Sequence, residues 1–156
     1  MTFGLLSAIF SKSCTMTEVE LILEKIRGNI FTTGCKHIVF GVNTDGHNDI
    51  GFAGQVTDKY WPELADTGGN KLGEVLSKRV GGKTFHALVC HELKTNGWTE
   101  TPSLVEQCLN KLDVENEAIA IVLIGGGLIG QLGGADVDAI LSAMESSTRE
   151  VIVYTL

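Results

Sequence analysis

The chain has 156 residues, long enough to bury a core and too short for two ordinary domains. Hydrophobic residues make up 44% and charged residues 20%, with only two prolines, which excludes wholesale disorder. Nineteen acidic against twelve basic residues give a formal charge of -7, and no Lys/Arg-rich segment offers a phosphate-tracking face, so extended nucleic-acid binding is excluded while a small nucleotide-like ligand stays open.

The first 16 residues read as an N-terminal extension, ahead of a second potential start at Met16 and a single domain over 17–156. The apolar stretch Phe3 to Phe10 lacks the charged region of a secretory signal and the roughly 20 residues of a membrane span, so a cytoplasmic protein with no membrane partner is expected. The segment from Thr17 to Gly28 fits two states. Thr17 and Glu20 form a capping box with Val19, Ile22, Leu23 and Ile26 on one helical face, yet Val19, Leu21 and Leu23 also alternate as in a strand.

Lys36 to Asn43 is the clearest strand, and the polar turn Thr44 to Asp49 follows it. A helix is predicted from Gly51 to Tyr60, ending near Pro62. Leu72–Val80 and Thr84–Cys90 read as strands of a hairpin around Gly81 and Gly82. Thr101 as N-cap and Pro102 at the first helical position open a helix whose apolar stripe is Leu104, Val105, Cys108, Leu109 and Leu112. A strand over Ala118–Ile124, a glycine loop, a helix over Asp136–Ser146 and a strand over Glu150–Thr155 complete the chain. Alternating strands and helices indicate an α/β sheet sandwiched by helices, in which ligands sit at the carboxyl ends of strands. The loops after Asn43 and after Ile124 lie at such ends.

Nineteen glycines exceed the roughly 7% typical of proteins, and they cluster. Gly125, Gly127 and Gly130 have the Gly-x-Gly-x-x-Gly spacing between a strand and a helix. A dinucleotide-binding unit needs further sheet and an acidic residue at the end of the next strand, where Tyr154, Thr155 and Leu156 stand instead. The loop can still hold phosphate through its backbone N–H groups, or it can be a tight turn and nothing more. Gly82-Lys83-Thr84 lacks the earlier glycine and the following helix of a P-loop.

The other loop concentrates Asn43, Asp45, His47, Asn48 and Asp49. A histidine beside carboxylates is a candidate acid or base, whereas Asn and Asp also gather at turns for local hydrogen-bonding reasons. His37, His86 and His91 fall on predicted strands or at their ends and read as packing or surface residues. The cysteines Cys14, Cys35, Cys90 and Cys108 lie far apart without a zinc spacing and are expected as reduced, mostly buried thiols. Nothing in the sequence requires a metal or a cofactor.

Taken in order, RGNIF, IVFGVN, GHNDIGFAGQVTDKYWPEL, ELKTNGW, LIGGGLIG and VIVYTL resemble a macro domain, the ADP-ribose-binding module. The resemblance runs from about Val19 to Leu156 and is closest to the branch of ADP-ribose-1''-phosphate phosphatases and compact ADP-ribosyl-ester hydrolases. It implies a three-layer α/β/α sandwich with a mixed central sheet, and ADP-ribose or a derivative as the small-molecule partner. It implies that Asn29, in place of the family's aspartate, and the Ile30 backbone face the adenine, with Tyr154 packed on it. Asn43 would lie near the distal ribose. Asp49 to Ala53, which includes Gly51 and Phe52, and the run Gly125, Gly126, Gly127, Leu128, Ile129 and Gly130 would enclose the diphosphate. Ile50 and Ile129 stand where ester hydrolases of the branch carry a lysine and an aspartate, which disfavours a covalent lysine mechanism. What remains is hydrolysis of ADP-ribose-1''-phosphate by water, with His47, Asp49 or Asp45 as catalytic base or orienting group. Protein de-ADP-ribosylation and ligand binding without catalysis are the alternatives.

Overall fold

The computed structural model describes residues 23–46, 48, 51–66, 69–114, 117–147 and 150–155. The expectations placed on residues 1–16, on Thr17 and Glu20, and on His47, Asp49 and Ile50 lie outside these described residues, as does Leu156. The described elements, in chain order, are β1 (Leu23–Arg27), β2 (His37–Asn43), α1 (Gly51–Lys59), β3 (Val75–Val80), β4 (Lys83–His91), α2 (Thr101–Lys111), β5 (Ile119–Val122), α3 (Leu128–Gly133), α4 (Val137–Glu145) and β6 (Val151–Thr155). Single 3-10 turns at Ile30–Thr32 and Pro62–Asp66 join them.

The six strands form one sheet in the order β1-β6-β5-β2-β4-β3, and only the β3–β4 hairpin is antiparallel. The expected mixed sheet is therefore present, with β3 at one edge. Strands β2 and β4 alternate inward side chains between its two faces, as a strand's period of two requires. Ile38, Phe40, Val42, Phe85, Ala87 and Val89 pack with Val56, Trp61 and Leu64 of the α1 layer. Val39, Leu88 and Cys90 face Val105, Cys108, Leu109, Ile140 and Met144 of the α2–α4 layer. Near-continuous burial along β4 is what a central strand covered on both faces should show.

Of the two states open to the segment before Gly28, Leu23–Arg27 takes the strand, pairing in register with β6 from Leu23 opposite Val151 to Arg27 opposite Thr155. Three expectations are corrected. Leu72 to Glu74 form a turn before β3. Thr101 is the first helical residue rather than the cap, Glu100 holding the cap position, and its buried hydroxyl donates to the Cys90 carbonyl at 2.6 Å. Cys90 and Cys108 are buried free thiols whose ionisation burial opposes, but Cys35 is disulfide-bonded, so the expectation of reduced thiols fails there. A fourth difference is an addition: the short helix α3 follows the glycine loop.

Lys83, the lysine of the rejected P-loop match, starts β4 and donates to the Thr33 and Cys35 carbonyls. None of the described helices is long and apolar enough to cross a membrane.

Candidate functional site

Parallel strands β2, β5 and β6 end on the same side of the sheet, where residues at their ends and in the segments after β2 and β5 line a cleft. The cleft has two lobes that share Gly51, Phe52 and Val122. One lobe, a cavity of about 520 Å³, lies over the β1–β6 side and is lined by Arg27, Asn29, Ile30, Phe31, Lys59 and Tyr154 among others. The other, about 230 Å³, lies over β2 and β4 and includes Asn43, Asn48, His91, Trp98, Gly125 and Ile129. Together they reach the size of small-ligand pockets, roughly 300–1,000 Å³.

The larger lobe is aromatic. Phe31 stacks on Phe52 with ring centroids 5.1 Å apart, and Phe52 meets Phe40 edge-on. Asn29 caps the 3-10 turn by accepting from the Phe31 amide at 3.0 Å, which fixes the turn that presents Phe31. Arg27 and Lys59 stand at its rim, two cations on an otherwise acidic chain.

The smaller lobe is roofed by the glycine loop. Gly125 has φ +84, a left-handed conformation, and a Cβ there would lie 2.9 Å from the Ala135 side chain. A Cβ on Gly130 would collide with the Gly125 backbone, so the first turn of α3 can fold back only because both residues are glycine. Ile129 on that helix is 38% exposed and forms part of the lining.

The polar loop after β2 separates into structural and open members. Asn43 is buried and accepts from the Asp45 amide at 2.9 Å, a local turn bond. Asn48 is buried, donates to the Leu64 carbonyl and receives the Thr57 hydroxyl on its own carbonyl, which ties the loop to α1 and the following 3-10 turn. Asp45 is exposed. Gly51 and Ala53 join Phe52 in the lining of the smaller lobe.

His91 ends β4 opposite Asn43, where the β2–β4 register slips by one residue. It is 7% exposed, its ring lies face to face on Trp98, and its Nδ1 has no hydrogen-bond partner. Burial pushes its pKa down to about 4, against a weaker opposing pull from Asp45, so the imidazole is neutral near pH 7. His37 and His86 sit elsewhere: their rings stack, His37 Nδ1 lies 2.9 Å from His86 Nε2, and Ser77 and Glu117 engage the two outer nitrogens.

No family model matches the sequence, and no curated protein matches it either. Solved structures do. A protein of unknown function from Bacteroides thetaiotaomicron matches with TM-score 0.67 and 18% identity, over 87% of this chain and 99% of its own. The Oceanobacillus iheyensis macrodomain matches with TM-score 0.60 and 17% identity, over 92% of this chain and 88% of its own. DarTG of Thermosipho africanus, solved in complex with ADP-ribose, matches with TM-score 0.63 and 14% identity, over 90% of this chain and 43% of its own. The chain has the macrodomain fold.

On this macrodomain fold most of the described residues singled out in the sequence line one cleft, and Asp45 does not. Asn29, Ile30 and Tyr154 line the larger lobe; Asn43, Ala53, Gly125, Gly127, Ile129 and Gly130 line the smaller one; Gly51 and Phe52 belong to both. Gly126 precedes Gly127 in the same loop and accepts from the Gln131 side chain. Sequence reasoning missed His91 and Trp98 as members of the site. The signal was there: His91 is the polar residue that closes an apolar strand at its carboxyl end.

Proposed function

We propose that the chain binds ADP-ribose or a close derivative in the two-lobed cleft. The observation that carries this reading is one cleft with an aromatic lobe lined by Arg27 and Lys59 at one end and, at the other, a largely apolar lobe that holds Asn43, Asn48 and His91 under the glycine loop. A flat base suits Phe31, Phe52 and Tyr154, and a diphosphate suits glycine backbone that an anion can approach closely. Arg27 and Lys59 favour an anionic ligand over a neutral one. A neighbour of the same fold was solved with ADP-ribose, which adds support. A ligand that binds only the folded state raises the melting midpoint as its concentration rises. ADP-ribose is expected to do so here and inorganic phosphate at equal concentration is not; an unchanged midpoint in saturating ADP-ribose contradicts the reading.

Hydrolysis is the finer reading. We infer attack of water on the distal phosphate of ADP-ribose-1''-phosphate, giving ADP-ribose and phosphate, with His47, Asp49 or Asp45 as base or orienting group. Asp45 supports it by standing exposed two residues beyond Asn43, which lines the smaller lobe. Phosphate release that His47→Ala abolishes is the expected result, and ADP-ribose binding with no release would leave a binding module. Loss of release on His47→Ala with binding retained separates the two.

A further inference from the structure

We propose that His91 is the residue that reads the far end of the ligand, its imidazole hydrogen-bonding the distal ribose of an ADP-ribose-type molecule. This rests on the ADP-ribose reading and adds to it a residue outside both loops on which that reading was built.

Three observations converge on the ring. It lines the smaller lobe at the end of β4, directly across from Asn43. Its Nδ1 is buried without a hydrogen-bond partner, an arrangement that is costly in a folded protein and calls for an explanation. Its plane is fixed by Trp98, with centroids 3.9 Å apart and planes 9° apart. Half a turn about χ2, a torsion that is broad and two-fold for histidine, keeps the ring stacked and carries Nδ1 to the ring's other edge.

Position selects the part of the ligand. With the base over β6, the β4 end lies three strand spacings away, roughly 14 Å. A ligand that stops at its second phosphate ends under the glycine loop and leaves His91 untouched. One that continues into a second sugar places hydroxyl groups at the ring. Burial keeps the imidazole neutral, so each ring nitrogen is either a donor or an acceptor, and a sugar hydroxyl, which can be both, matches whichever one it meets.

The experiment is calorimetric titration of the full chain with ADP-ribose and with ADP, for the wild type, His91→Phe and His91→Gln. Phenylalanine keeps a flat ring against Trp98 and removes both nitrogens. The expected result is that His91→Phe binds ADP as the wild type does and ADP-ribose about tenfold more weakly, with His91→Gln recovering most of the loss. Equal affinities in wild type and His91→Phe, or an equal loss for both ligands, overturns the proposal. Should His91→Phe fail to fold, ring ¹⁵N resonances of wild-type His91 decide: ADP-ribose must shift them and ADP must not, and no shift at saturating ADP-ribose overturns it. A wild type that binds neither ligand instead sinks the underlying ADP-ribose reading, an outcome distinct from binding that ignores His91.

Discussion

The His91 imidazole lies flat on the Trp98 indole, with ring centroids 3.9 Å apart and planes 9° apart. The stack joins the end of β4 to the segment that leads into α2, and Trp98 extends the contact to the roof: a Cβ placed on Gly125 would lie 3.7 Å from the indole Cζ3. One aromatic ring thus packs against both His91 at the smaller lobe and the glycine loop above it. The position of the loop depends on tertiary packing as much as on its own backbone.

The buried imidazole makes stability depend on pH in a defined direction. Above pH 6.5 His91 is neutral in both folded and unfolded chains and contributes nothing to the dependence. Below 6.5 the unfolded chain takes up a proton that the folded one refuses until about pH 4, so stability falls across that window as pH is lowered. A shift of this size corresponds to roughly 3 kcal/mol at full development. Urea denaturation of wild type and His91→Gln at pH 7.5, 6 and 4.5 should show a steeper acid loss in the wild type, and parallel curves would contradict the assignment.

Gly130 should not tolerate a side chain. Its Cβ would meet the backbone of Gly125, which cannot swing aside as a flexible side chain can. Gly130→Ala is expected to cost about 1–3 kcal/mol in chemical denaturation, the usual range for overpacking, and to weaken ADP-ribose binding by lifting the roof. Wild-type stability together with wild-type affinity would show that the loop yields more easily than its packing indicates.

Thr101 anchors α2 to the sheet rather than capping the helix. Its hydroxyl is fully buried and donates to the Cys90 carbonyl, one residue before His91. Thr101→Val keeps the shape and removes the donor, leaving the buried carbonyl with one bond fewer, and about 1–2 kcal/mol of stability should be lost. Thr101→Ser should retain most of it. Equal stability of Thr101→Val and wild type by urea denaturation would refute the role.

Much of the architecture can be read locally, because it depends on local signals. The apolar run of β2, the Gly81-Gly82 turn between β3 and β4, and Asp136, whose side chain accepts from the Ala139 amide ahead of α4, all announce themselves in a few residues. The open and the mistaken readings share a cause, which is a partner distant in sequence. Thr17 to Gly28 fits helix and strand alike, and Leu23–Arg27 is a strand because Val151–Thr155 lies beside it. Thr101 looks like a cap until the Cys90 carbonyl claims its hydroxyl. At the site, the glycine loop and Asn43 stand out by composition, whereas His91 becomes meaningful only once β2 and β4 are side by side and Trp98 has folded onto it. Asn48 shows the converse: its polarity suggests chemistry, and its bonds to Leu64 and Thr57 give it a structural task.

The central claim is that the cleft formed by β2, β5, β6 and the glycine loop holds ADP-ribose. Calorimetric titration of the purified chain with ADP-ribose at neutral pH tests it most directly. The account predicts saturable binding of one molecule per chain, weakened by Gly130→Ala. No heat of binding at millimolar ADP-ribose, from a chain shown to be folded, would contradict it.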